Sequence, residues 1–195
     1  MFEVSGDIAA LLVLVAFVAG LVDSIAGGGG LITLPALLLA GASPLQALST
    51  NKLQGTFGAA TAALAYARAG LVDLGKQRAA AGVALLAGAA GAGLATVLPT
   101  DWLRLVLPVV LVGVAAFFAF KPGLTDEDRR ERLPSAVYLI TVVPLIAGYD
   151  GFFGPGTGSF FMLGFVLLAG YGVLKATAHT KLANAASNVG SLTLF

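Results

Sequence analysis

Two lysines carry the most telling chemistry in this chain. Lys52 stands in "SPLQALSTNKLQG" and Lys181 in "YGVLKATAHTKLANAASN", each inside a long apolar stretch. A helix that starts at Pro44 places Lys52 eight residues in. At 1.5 Å per residue that is about 12 Å deep, near the middle of a hydrocarbon core about 30 Å thick. Lys181 lies equally deep in a span that starts at Val173. A lysine at that depth costs about 2.5–3.5 kcal/mol and must face the interior and a partner. Ser49, Thr50, Asn51 and Gln54 accompany the first lysine, and His179, Thr180 and Asn184 the second. One reading is a pair of internal salt bridges, Lys52 to Asp23 and Lys181 to Asp150. The other is a site for a small anion. Polar donors grouped around a buried cation suit an oxyanion better than a single carboxylate, so the anion reading is preferred.

Glycine marks the same two regions. "DSIAGGGGLITLPALLLAG" holds Gly27, Gly28, Gly29 and Gly30 in a row, and "DGFFGPGTGSF" holds Gly154, Gly156 and Gly158 around Thr157. Each glycine costs a helix interior about 1 kcal/mol, so four together break it. Irregular backbone at membrane depth is tolerated only where it is buried in protein or lines a watery cavity. Broken segments at matching places in two halves point to a transporter's binding site. Short helices over 31–41 and 159–170 would begin at the breaks, with free N–H groups that favour anions. The candidate substrate-binding residues are therefore Gly27, Gly28, Gly29, Gly30, Thr50, Asn51, Lys52, Gln54, Gly154, Gly156, Thr157, Gly158, His179, Thr180, Lys181 and Asn184. Asp23 and Asp150 sit beside the breaks as ion-pair partners, N-caps or proton carriers, with N-capping put first. With His179, whose unperturbed pKa lies in the physiological range, they are the candidates for proton or ion coupling.

The regions are copies of one another. Residues 38–53 read "LLAGASPLQALSTNKL" and residues 167–182 read "LLAGYGVLKATAHTKL". At an offset of 129, Gly41 and Lys52 recur as Gly170 and Lys181, among six further matches of Leu and Ala. Each half reads as helix, Asp, glycine-rich break, short helix, turn, long helix with a buried Lys. The halves are assigned to 1–121 and 135–195, joined by a charged loop at 122–134.

Composition says what surrounds these residues. The 195-residue chain is 58% hydrophobic and 11% charged, with a mean hydropathy of +0.94. A soluble domain carries nearer a quarter charged residues, so the lipid bilayer is the expected partner. A net charge of +1 offers no basic footprint for nucleic acid. No cysteine and one histidine leave no thiol chemistry and no Cys- or His-cluster metal site. A membrane enzyme would need a nucleophile, an acid–base pair or a metal. Only Asp23 and Asp150 could serve, and the duplicated lysines fit that chemistry poorly. The glycine run lacks the G-K-[ST] ending of a nucleotide loop. No cofactor is expected, and a proton gradient or the anion's own gradient is the expected energy source.

Six segments approach spanning length: 8–26, 44–66, 77–98, 102–120, 135–149 and 173–195. The first carries Glu3 and Asp7 rather than a basic n-region, so it reads as a membrane helix and not a signal peptide. Ser43 before Pro44 reads as an N-cap, Gly70 follows a helix ending near Arg68, and Thr100 with Asp101 is expected to cap the next helix. Segment 77–98 is rich in Gly and Ala, which favours close helix packing. Arg68, Lys76 and Arg78 form one basic loop; Lys121, Arg129, Arg130 and Arg132 form another, in "KPGLTDEDRRERLP". Two spans separate them, which puts both on the cytoplasmic side. The charges of 126–132 read as a solvated turn or short helix. The halves are inverted or parallel according to how the short helices are counted, and the unmatched basic loops favour inversion.

These regions resemble the two signature regions of the sulfite exporter TauE/SafE family of anion permeases. "DSIAGGGGLITLPALLLAGASPLQALSTNKLQG" is similar to the first, and "GPGTGSF" with "TKLANAASN" to the second. The resemblance implies an all-α, polytopic transmembrane protein with two related repeats, each holding a short re-entrant-like helix. It implies export of sulfite, organosulfonate or thiosulfate across the inner membrane. The family's signature positions carry over to the glycine runs, Asn51, Lys52, Gln54, Thr180, Lys181 and Asn184. The residues alone also fit a carrier for another small carboxylate or oxyanion, or a non-transporting membrane subunit. One departure stands out. The first half continues through two more spans after Lys52, whereas fourteen residues follow Lys181. The chain thus reads as a C-terminally shortened permease with an incomplete second half. Oligomeric state is left open by the sequence.

Overall fold

A computed structural model of the chain describes residues 4–75, 77–120, 126–127 and 130–195. Glu3, Lys76, Lys121 and Arg129, used above to read the termini and loops, lie outside the described residues. The described chain is all helical: α1 (Gly6–Ala26), α2 (Gly30–Leu39), α3 (Pro44–Arg68), α4 (Arg78–Val97), α5 (Thr100–Ala119), α6 (Ser135–Phe152), α7 (Thr157–Leu167) and α8 (Val173–Leu192).

The expected spans appear as α1, α3, α4, α5, α6 and α8, and the expected short helices as α2 and α7. Four of the six, α1, α4, α5 and α6, are long and apolar enough to cross a membrane by themselves. The other two have the length, 25 residues for α3 and 20 for α8, but carry the polar residues of the site. Those residues lower their apolarity, and many of them are buried within the bundle. Leu11, Leu14, Phe17 and Ile25 of α1 are exposed, as are Leu105, Val109 and Val112 of α5. In a bilayer these faces meet lipid, which satisfies them without protein contact.

The helix starts follow their local chemistry. Ser43 and Gln46 form a reciprocal capping box at α3, with Pro44 in the first turn. Thr100 does not cap α5; it is the first helical residue, and Pro99 precedes it with no side-chain cap. Pro99 takes the extended backbone of the N-cap position itself, so Thr100 falls one residue too far in to cap. Asp126, in the charged loop, accepts a hydrogen bond from the Leu174 N–H of α8 at 2.8 Å. That loop therefore fastens the start of a site helix.

The small residues of α4 let α6 and α8 approach backbone to backbone. A Cβ on Gly151 of α6 would lie 1.9 Å from the Gly88 carbonyl oxygen, and one on Gly190 of α8 would lie 1.9 Å from that of Leu85. Two apolar clusters flank the polar middle. One joins Phe161, Met162, Phe165, Val143 and Ala176 from α6, α7 and α8. The other joins Leu34, Leu48, Leu107, Leu111 and Phe153 around α2, α3 and α5.

Gly151→Val should lower stability by about 1–3 kcal/mol or more, because the branched side chain overpacks a backbone contact. Gly82→Ala, with open space at its Cβ inside α4, should instead raise it by about 0.5–1 kcal/mol. Thermal melting of the purified chain in detergent micelles compares the two.

Candidate functional site

Both breaks are left-handed turns that only glycine adopts cheaply. Gly27 and Gly28 have φ of 75° and 94°, and Gly154 and Gly156 have 89° and 76°. The breaks lie against each other: a Cβ on Gly27 would stand 2.6 Å from the Gly158 carbonyl carbon. Any side chain there would push them apart. The second break is pinned by the Tyr149 hydroxyl, which donates to the Pro155 carbonyl at 2.8 Å.

A polar cavity of about 40 Å³ sits where the breaks meet. At roughly 10–15 Å³ per water it has room for about three waters, the scale of one small oxyanion. Its wall comes from the end of α1, the start of α2, the middle of α3, the end of α6, the start of α7 and the middle of α8. Among the residues expected from sequence, Asp23, Gly28, Gly29, Gly30, Asn51, Gln54, Asp150, Gly154, Gly156, Thr157, Gly158 and Asn184 line it. Asn51 lies beside Gly30, and Asn184 beside Gly158, so each amide stands at the start of a short helix. Thr33 reaches Asn51 Oδ1 at 2.8 Å, and Gln54 Nε2 donates to the Ala16 carbonyl at 2.8 Å.

The lysines stand behind the wall. Lys52 lies 2.6 Å from Asp150 Oδ1, with the two side chains only 1% and 2% exposed. Ser187 Oγ donates to the second Asp150 oxygen at 2.6 Å. Lys181, 0% exposed, lies 3.4 Å from Asp23 Oδ2, and Asp23 is 17% exposed. The Lys181 ammonium also donates to the Asp23 carbonyl oxygen, while Asp23 Oδ1 accepts from the Gly29 N–H at 3.2 Å.

Three expectations are corrected by this geometry. The salt bridges do not run within the halves, Lys52 to Asp23 and Lys181 to Asp150. They cross, because the interlocked breaks bring Lys52 to Asp150 and Lys181 to Asp23. Asp150 is no N-cap; it lies within the last turn of α6. Asp23 does hold a backbone N–H at the start of α2, and it adds an ion pair. Besides the two lysines, four expected residues are not on the wall. Thr50 is exposed, and Thr180 is buried away from the cavity. His179 Nδ1 donates to the Lys175 carbonyl at 2.8 Å, and the ring packs on Phe165 and Tyr171. Gly27 packs behind the wall on Gly158. Nearness in sequence misleads here: residues one or two apart on a helix point to different faces.

Thr33 and Asn188 also line the cavity. Their signals were present. Asn188 is four residues after Asn184, on the same helix face, and Thr33 is one turn into the short helix after Gly30.

Two helices broken by glycine and meeting at a polar cavity, inside a bundle whose outer faces are apolar, define a membrane transporter. The chain belongs to the sulfite exporter TauE/SafE family, whose model matches residues 12–195. The probable membrane transporter protein ORF9 of a Sinorhizobium species is 53% identical over 195 residues, all of this chain and 75% of that protein. The probable membrane transporter protein YfcA of Escherichia coli K12 is 43% identical over 195 residues, all of this chain and 72% of that protein. A probable membrane transporter protein of Haemophilus influenzae is 42% identical over 193 residues, 99% of this chain and 76% of its own length. No solved structure matches the chain. The chain is a multi-pass membrane transporter.

Lys52→Leu should cost about 3–5 kcal/mol, because it leaves Asp150 charged, buried and unpaired. Adding Asp150→Leu should recover most of that loss, since an apolar pair needs no counter-charge. Melting of both variants in micelles, with Ser187 unchanged, checks the order.

Proposed function

We propose that the chain exports small sulfur-containing oxyanions, of the sulfite, organosulfonate or thiosulfate kind, across the inner membrane. The observation that carries this reading is the polar cavity at the meeting of the two breaks. Asn51, Asn184, Asn188, Thr33, Thr157 and glycines of both breaks line a space of oxyanion size. Two buried ammonium groups stand directly behind it. Neutral donors backed by ammonium groups that can exchange their carboxylate partners replace the hydration of an anion while leaving it able to depart. The family's own description names sulfite export.

Residues 1–121 and 135–195 are read as related halves joined by 122–134. The crossed ion pairs then act as the hinge between them. Rocking one half against the other would open the cavity first to one side and then to the other, as alternating access requires. Asn51, Gln54, Asn184 and the glycine N–H groups bind the anion, and the lysines supply the field. Thr50, Thr180 and His179 serve the helices that hold the site.

Proteoliposomes loaded with radiolabelled sulfite test the proposal. Saturable efflux is expected, inhibited by thiosulfate and an organosulfonate and less by acetate. Asn184→Ala should slow efflux at low sulfite by about tenfold, the loss of one hydrogen bond to a charged ligand. Inhibition by acetate as strong as by thiosulfate would favour a carboxylate carrier. No efflux from the folded chain would favour a non-transporting subunit.

A further inference from the structure

The two buried pairs beside the cavity are not equivalent. Lys52–Asp150 is sealed, and both Asp150 oxygens are committed, one to Lys52 and one to Ser187. Lys181–Asp23 is looser, at 3.4 Å, and Asp23 keeps 17% exposure on the cavity wall. Its carboxylate accepts the Gly29 N–H with one oxygen and faces the Lys181 ammonium with the other. A backbone N–H and a buried ammonium are the donors that a small oxyanion would seek. The carboxylate of Asp23 already occupies that position.

We propose that Asp23 is a tethered competitor of the transported anion, and that protonation of Asp23 hands Lys181 and the Gly29 N–H over to that anion. This deepens the anion reading above and rests on it. The charges balance. In the resting pair, one carboxylate neutralises one ammonium. A proton neutralises the carboxyl, Lys181 stays charged, and a monoanion becomes its counter-ion. The site is neutral before and after, so one proton and one monoanion enter together.

Geometry separates Asp23 from the other titratable candidates. Asp150 of α6 is enclosed by Lys52 of α3 and Ser187 of α8. His179 faces Phe165 and Tyr171, away from the cavity. The charged groups facing Asp23 are Lys181 from α8 and, beyond it on the cavity wall, Asp150 with its partner Lys52. At the N-cap of α2 it meets the Gly29 N–H, and α7 brings the neutral Thr157 and Gly158 to the same wall.

The chain in lipid nanodiscs is titrated with methanesulfonate and with thiosulfate, whose charges stay constant between about pH 5 and 8, the window in which a histidine would titrate. Methanesulfonate binding is expected to take up one proton from weakly buffered solution. Affinity should rise up to about tenfold per unit fall in pH, the slope that linkage sets for one proton. Asp23→Asn should bind with no proton uptake and no slope. The inference is overturned if the unaltered chain binds methanesulfonate without proton uptake, a reading that needs no variant to fold and leaves the anion reading standing. It is also overturned if the slope survives in Asp23→Asn or disappears in His179→Asn instead. Binding of neither probe at any pH would remove the anion reading itself, and this inference with it.

Discussion

The cost of placing an ammonium group in a low-dielectric interior governs this structure. Lys52 and Lys181 are among the most completely buried side chains of the molecule, and each must meet an opposite charge or lose the state that buries it. Their partners come from the other break. Satisfying both lysines therefore requires the end of α1 to reach α8, and the end of α6 to reach α3. That crossing draws the two glycine breaks together, and the contact of Gly27 with Gly158 allows it.

The cavity follows from the same arrangement. A helix that stops in the membrane leaves backbone groups without partners, and hydrocarbon cannot supply them. Here the ends of α1 and α6 and the starts of α2 and α7 converge on one point. Thr33 and Asp23 serve the backbone of Gly29, and Thr33 also holds Asn51. A space ringed by polar groups that already satisfy each other can accept a polar guest by exchange of partners, at lower cost than opening a new one. The small-residue contacts of α4 with α6 and α8 hold the rest of the bundle close enough for this point to remain enclosed.

The asymmetry between the pairs gives the two lysines different work. Asp150 has both oxygens committed and almost no exposure, so the Lys52 pair acts as a fixed clamp. Asp23 borders the cavity, and its ammonium partner is shared with its own backbone carbonyl. A pair of that kind can exchange partners without unfolding the bundle. Sequence similarity between the halves does not foretell this difference, because Ser187 has no counterpart that serves Asp23.

Read alone, the sequence determined the membrane setting, the helix order, both breaks, the burial of both lysines and most of the cavity's lining residues. These are local matters: apolar length, glycine content, capping pairs such as Ser43 with Gln46, and the depth of a charge along a helix. Tertiary structure alone decided the pairing of the charges, since α4 and α5 separate Lys52 from Asp150 along the chain and only the packing of one break on the other brings them within reach. It also decided which polar neighbours face the cavity. Asn188 and Thr33 share a face with it, while Thr50, Thr180 and His179 turn away, because a helix rotates its side chains by about 100° per residue. Position along the chain carries that rotation, but the direction of the cavity relative to each helix is set by packing.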